Sequence, residues 1–173
     1  MESKEASERQ LTSLYEEYFN RVARYAFVRI GDASEAEDIA SEVFVKALDS
    51  LKNYQERGLP MQAWIFKIAH NLVVDYLRKR KQRTTLPIDG IEISSDNDPV
   101  TTAESNIEIA RVSKAMEKLT EDQREVVRLR FFGGLSSKEV SGVMDKTDGA
   151  VREMQRAALE KLRQILNETG IAG

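Results

Sequence analysis

Apolar residues recur at helical spacing along most of the chain, and no stretch alternates apolar with polar as a half-buried strand would. Leu11, Leu14, Tyr15, Tyr18, Val22, Tyr25, Ala26 and Arg29 fall on one face of a helix. Gly31 supplies a stop, so a first helix is predicted over 10–30. Ser34 to Glu37, reading SEAE, has the spacing of a capping box, in which the Ser oxygen accepts a backbone N–H and the Glu reaches back. Behind it Ile39, Val43, Phe44, Ala47, Leu48 and Leu51 carry a second helix to about Ser50. After a turn at 55–60, the segment Met61 to Lys81 sets Trp64, Ile65, Ile68, Ala69, Leu72 and Tyr76 on one side and Lys67, His70, Val74 and Arg78 on the other.

Two further capping boxes, Thr120 to Gln123 and Ser136 to Glu139, open helical patterns in the second half, with Gly133-Gly134 between them. Helices are predicted over 107–118, 121–132, 136–144 and 148–166. The last turns Val151, Met154, Ala158, Leu159, Leu162 and Leu166 inward. The chain therefore reads as all-α. The short capped helix, tight turn and longer helix from Gly134 to Leu166 have the spacing of a helix-turn-helix, locked by Val140 and Val151. Such a unit lays its second helix in the major groove, leaving Gly149, Ala150, Arg152, Glu153 and Arg156 within reach of bases and phosphates.

Charge divides the chain. Residues 1–60 carry 8 basic and 12 acidic side chains, whereas Arg78, Lys79, Arg80, Lys81 and Arg83 crowd five cations into six positions. The stretch 84–106 then holds five carboxylates and no cation, with Pro87, Gly90 and Pro99 among many Ser and Thr. It reads as an extended acidic linker between two small helical domains, 1–83 and 107–173. Domains of this size bury only about 60% of their unfolded surface, so modest stability is expected of each.

Composition narrows the chemistry. With no Cys and only His70, the 173 residues cannot build a thiolate zinc site, a disulfide framework, a Cys nucleophile or a multi-histidine centre. No metal or cofactor is expected. Carboxylates are plentiful, but no pair stands in a recognisable acid/base setting, so the chain is not read as an enzyme. No apolar run is long enough to span a membrane and the first residues lack a secretory h-region, so a cytoplasmic location without membrane insertion is expected. A net charge of −3 argues against bulk coating of nucleic acid.

The stretch LTEDQREVVRLRFFGGLSSKEV from Leu119 to Val140 resembles the fourth region of bacterial sigma factors. LYEEYFNRVARYA at 14–26, AEDIASEVFVKAL at 36–48 and QAWIFKIAHNLVVDYLRKRK at 62–81 resemble the second region of the same proteins, in the same order. With only these two regions joined by a short acidic linker, the chain is similar to the extracytoplasmic-function (ECF) group. The resemblance implies a factor that binds core RNA polymerase, directs it to promoters and promotes strand opening, with an anti-sigma protein as a further partner.

Residue by residue, the resemblance places Glu37, Asp38, Glu42 and Phe44 on core polymerase. It places Tyr54, Trp64, Lys67, His70, Asn71, Arg78, Lys79, Arg80 and Lys81 on minus-ten DNA, where an extruded base must be held against the loss of stacking. Ser137, Lys138, Gly149, Ala150, Arg152, Glu153 and Arg156 fall on the minus-thirty-five element. His70 stands where Arg is frequent, and Asp145 takes a turn position usually given to Gly. The alternative is a stand-alone helix-turn-helix regulator binding palindromic operators as a dimer, which would have no need of the basic tract or the loop before the third helix.

Overall fold

The computed structural model describes residues 2–54, 59–83, 110–112 and 114–168. The predicted linker 84–106 and the turn positions 55–58 lie outside the described residues. Every regular element among those described is helical. None is long and apolar enough to cross a membrane.

Helix α1 spans Glu2–Ile30, eight residues earlier than the apolar pattern required. The added turns, ESKEASER, are mostly good helix formers, Glu, Lys, Ala and Arg, with no Gly or Pro to interrupt them. Gly31 takes φ 79 and ends the helix. Helix α2, Ala33–Asp49, is capped by Asp32, not by Ser34 as the sequence suggested. The Glu35 backbone N–H donates to the Asp32 carboxylate at 3.0 Å, so the tight Gly31 turn sets the cap two residues early. A 3-10 turn, Leu51–Asn53, leads towards α3, Met61–Arg83.

Along α3 the buried stripe is Met61, Ala63, Ile65, Phe66, Ala69 and Val73. Trp64, Ile68, Leu72 and Tyr76 are only half-buried, so the inner face is rotated from the predicted one. Phe66 causes the rotation by packing edge-on against Tyr18 and Tyr25 of α1, at centroid distances of 6.2 and 5.8 Å.

In the second half, residues 110–112 and 114–116 are helical. Helix α4, Glu121–Val127, widens into a π turn over Arg128–Phe132, which turns both Arg128 and Leu129 inward. Helix α5, Ser137–Met144, and helix α6, Asp148–Glu168, complete the helix-turn-helix. Both predicted capping boxes form, Thr120 with Gln123 and Ser136 with Glu139. Asp145 closes α5 in the left-handed region at φ 54, where a short polar side chain is tolerated in place of Gly. Val140 and Val151 are fully buried between α5 and α6, as the spacing required.

Two cores result. Ala115, Met116, Leu119, Val127, Ala158 and Leu162 form a small one within the second half. The larger core runs through α1, α2 and α3 and continues into Val126, Leu129, Leu135, Val140, Val143 and Val151. The two halves, each too small to bury much surface alone, thus share their main core. Close approach is needed at Gly133, where a Cβ would lie 2.8 Å from Phe66 Cε1 of α3.

Candidate nucleic-acid interface

Three surfaces carry the residues singled out by sequence. On α2, Glu37, Asp38 and Glu42 are exposed. Phe44 is not: it is 7% exposed, with its ring 5.1 Å from Tyr15 and 6.3 Å from Phe19. The exposed apolar side chains of α2 are instead Val45 and Leu48, 58% and 55% exposed, on the C-terminal side of Asp38 and Glu42. Leu48, assigned inward by periodicity, faces outward because Ala47 and Leu51 close that end of the core.

The second surface is α3. Tyr54 and Trp64 form a tilted pair at 4.7 Å, and the Tyr54 hydroxyl donates to the Leu59 carbonyl at 3.0 Å. Asn71 is exposed, while Lys67 and His70 are half-buried. Beyond them the basic tract is not uniform. Arg78 and Lys79 both pair with Asp75, which depresses that carboxyl below its ordinary value, chiefly through the Lys79 hydrogen bond. Arg80 turns inward and donates to the Ile30 carbonyl at 2.8 Å, holding the end of α1. Lys81 and Arg83 are exposed.

The third surface is α6 and its turn. Gly149, Ala150, Arg152, Glu153 and Arg156 are all exposed, as predicted. The Ser137 hydroxyl donates to Asp148 at 2.9 Å, joining the two helices of the motif, and Lys138 is exposed beside it. Both arginines are engaged along their own helix. Arg152 pairs with Asp148, and Arg156 with Glu153 at 2.6 Å and Glu160 at 3.0 Å. The Asp148 carboxyl lies below its ordinary range, first through Arg152 and then through Ser137.

Between the second and third surfaces lies a feature that sequence did not reveal. Glu125 of α4 is 3% exposed and reaches across the core. Its carboxylate accepts the Tyr25 hydroxyl at 2.7 Å and pairs at 3.3 Å with Arg29, with His70 Nδ1 and with Arg128. Arg29 and Arg128 also meet Glu121, at 3.2 and 3.0 Å. Burial pushes the Glu125 carboxyl up, but the His70 hydrogen bond and the charges of Arg128 and Arg29 outweigh it and hold it at about 2. Burial and the neighbouring Glu125 charge push the Tyr25 phenol well above its ordinary value, so it stays a donor. The one faint signal in sequence was Arg29, a cation on an otherwise apolar face.

A cleft of about 330 Å³ opens beside this cluster, with Lys67, His70 and Asn71 on one wall and Glu121, Asp122, Glu125 and Asp145 on the other. Lys67 Nζ lies 3.4 Å from the Asp145 carboxylate. Among the described residues, no group of His, Asp or Glu is arranged to hold a metal ion.

Residues 14–83 match the family Sigma-70 region 2, and residues 115–164 match Sigma-70 region 4. The chain belongs to the ECF RNA polymerase sigma factors. It is 35% identical over 158 residues to the ECF sigma factor BldN of Streptomyces coelicolor, covering 88% of this chain and 59% of that protein's length. It is 31% identical over 155 residues to the ECF sigma factor SigD of Mycobacterium bovis, covering 86% of this chain and 73% of that one. In architecture it is similar to the sigma factor RpoE of Bartonella quintana, solved with the anti-sigma factor NepR, at a TM-score of 0.71 and 19% identity over 92% of this chain and 98% of that one. In this sigma factor α1 to α3 therefore constitute region 2, and α4 to α6 form the body of region 4.

Proposed function

We propose that this sigma factor binds core RNA polymerase, directs it to its own set of promoters and promotes strand opening, catalysing no covalent step itself. The reading is carried by regions 2 and 4 standing in family order along one chain at 31–35% identity to ECF sigma factors. The stand-alone regulator gains no support, since those relatives are sigma factors.

On this reading the exposed strip of α2, with Glu37, Asp38 and Glu42 beside Val45 and Leu48, docks on the polymerase, an apolar centre with a charged rim. Lys67, His70 and Asn71 face the minus-ten strand, with the Tyr54–Trp64 pair as the aromatic platform beside them. Arg78, Lys79 and Lys81 meet phosphates and so position the chain without specifying sequence. Arg80 serves the end of α1 instead. Gly149, Ala150, Arg152, Glu153 and Arg156, with Ser137 and Lys138 behind them, meet the minus-thirty-five element. An anti-sigma protein is a natural further partner, as NepR is for its sigma factor. The work is done in the cytoplasm, and no cofactor enters it.

The test is transcription of promoter-bearing genomic fragments by matched core polymerase with and without the purified chain, with start sites mapped. New discrete starts are the expected result. Failure to bind core polymerase together with protection of palindromic half-sites one helical turn apart would instead establish the regulator.

A further inference from the structure

We propose that Asp148 is a positioning residue for promoter reading: tied to Ser137, it holds Arg152 so that the guanidinium meets a guanine edge in preference to a phosphate. The proposal rests on the assignment of α6 to the minus-thirty-five element.

The two arginines on the outer face of α6 are anchored differently. Arg156 lies between Glu153 and Glu160, whose side chains are 66% and 60% exposed, and pairs so open to water constrain little. Arg152 donates through Nη2 to Asp148 Oδ2, on a carboxylate only 32% exposed. The other oxygen, Oδ1, accepts the Ser137 hydroxyl at 2.9 Å. Ser137 is half-buried in the first turn of α5, whose start is fixed by the capping box of Ser136 and Glu139. Two hydrogen bonds in series therefore run from the capped end of α5, across the turn, to the guanidinium on α6. Arg152 first and Ser137 second hold the Asp148 carboxyl below its ordinary range, so it remains an acceptor for both.

Capping does not account for this arrangement. Thr147 already serves the start of α6, its hydroxyl accepting the Ala150 N–H at 3.1 Å. A carboxylate in a first turn favours the helix dipole, but that role asks for neither Ser137 nor Arg152. Reading a base does. Asp148 engages one nitrogen of Arg152, and Nε and Nη1 make no hydrogen bond among the described residues. Guanine offers the major groove two neutral acceptors, N7 and O6, which a guanidinium can meet while keeping its carboxylate. A phosphate, being an anion, is repelled by Asp148. Ordering a long side chain costs binding free energy, and a guanidinium ordered beforehand avoids that cost. Arg152 is thus poised for a base, and the loosely held Arg156 is left to the backbone.

The test randomises the minus-thirty-five positions of a mapped promoter and counts which templates the full chain transcribes with matched core polymerase. Arg152→Ala identifies the position that Arg152 reads, as the one whose guanine preference, about 5- to 150-fold in the wild type, is lost. Asp148→Asn keeps the shape and removes the charge. It should lower the guanine preference at that same position about two- to tenfold, the cost of ordering one long side chain, and leave the other positions unchanged. Ser137→Ala should act in the same direction, whereas Ser137→Thr, which keeps the hydroxyl, should not.

An Asp148 that only supports the fold would, on replacement, lower transcription from all templates alike. One that only repels DNA would, on replacement, raise it from all alike. Either uniform change, or a loss of preference at a position that Arg152→Ala leaves intact, overturns the positioning role. Retained guanine preference in Arg152→Ala overturns it as well, and an effect of Asp148→Asn that Ser137→Ala does not share overturns the tie to α5. If the wild type gives no promoter-specific starts, the sigma reading falls and the proposal with it; discrete starts whose base preference ignores Asp148→Asn sink the positioning role alone.

Discussion

Glu125 keeps a full negative charge at a position that water scarcely reaches, and its titration is therefore a direct readout of the contacts around it. The groups facing it are Tyr25 and Arg29 from α1, His70 from α3, and Glu121 and Arg128 from its own helix and the π turn. Its carboxyl is held at about 2, below the ordinary 4.5. A depressed carboxyl contributes stability that is complete above pH 4.5 and is lost as pH falls through that window towards 2, about 3 kcal/mol in all. Denaturant unfolding of the wild type and Glu125→Gln should show the wild-type advantage shrinking as pH falls from 5 to 2.5, and a constant advantage would contradict the assignment. A second contrast is found on α2. Phe44→Ala removes a ring packed on Tyr15 and Phe19 and should cost about 3–5 kcal/mol in thermal unfolding. Leu48→Glu, at a side chain 55% exposed, should leave unfolding nearly unchanged while weakening co-migration with core polymerase.

At the scale of the element, the helices of both halves were legible because period and caps agreed. Thr120-x-x-Gln123 and Ser136-x-x-Glu139 fix the starts of α4 and α5 as the sequence said. Ser136→Ala should cost about 1 kcal/mol and lower the melting temperature, since Glu139 N–H then loses its acceptor. Where reading by period failed, it failed for tertiary reasons. The start of α2 was misplaced because Asp32 and Ser34 offer the same chemistry and only the turn at Gly31 chooses between them. The inner face of α3 was misaligned because apolar residues surround that helix almost evenly, leaving Phe66 and its aromatic neighbours to set the rotation. The exposed cations of α6 were legible as positions, but not their pairing with Asp148, Glu153 and Glu160, since rotamers decide which helical neighbours meet.

At the scale of the whole molecule, two helical units in order were readable, and their contact was not. Glu125 looked like one more polar residue of a capped helix, and Tyr25 like one more apolar one. Their partnership spans 100 residues of sequence, which no local period encodes. The shared core makes each half a stabiliser of the other. Residues 1–83 alone, deprived of Leu135, Val140 and Val143, should melt below the intact chain, by about 4–8 °C for each 1 kcal/mol of interface lost. Equal melting temperatures would show that the contact contributes nothing.

The paired arginines of α6 bear on how this factor searches a genome. Arg152 and Arg156 already hold carboxylates, so engaging a phosphate is an exchange of one anion for another, and each exchange leaves Asp148, Glu153 or Glu160 facing the duplex. Random DNA, offering phosphates alone, gains little from such a surface, because sequence-independent affinity grows with the number of phosphates neutralised. A site whose base edges also engage the helix recovers what the exchange gives up. The expected result is a shallow salt dependence for region 4 on non-promoter duplex, steepened when Glu153 and Glu160 are replaced by Gln. A factor built this way spends little of its time adrift on the chromosome and stays available to the polymerase that gives it a promoter to read.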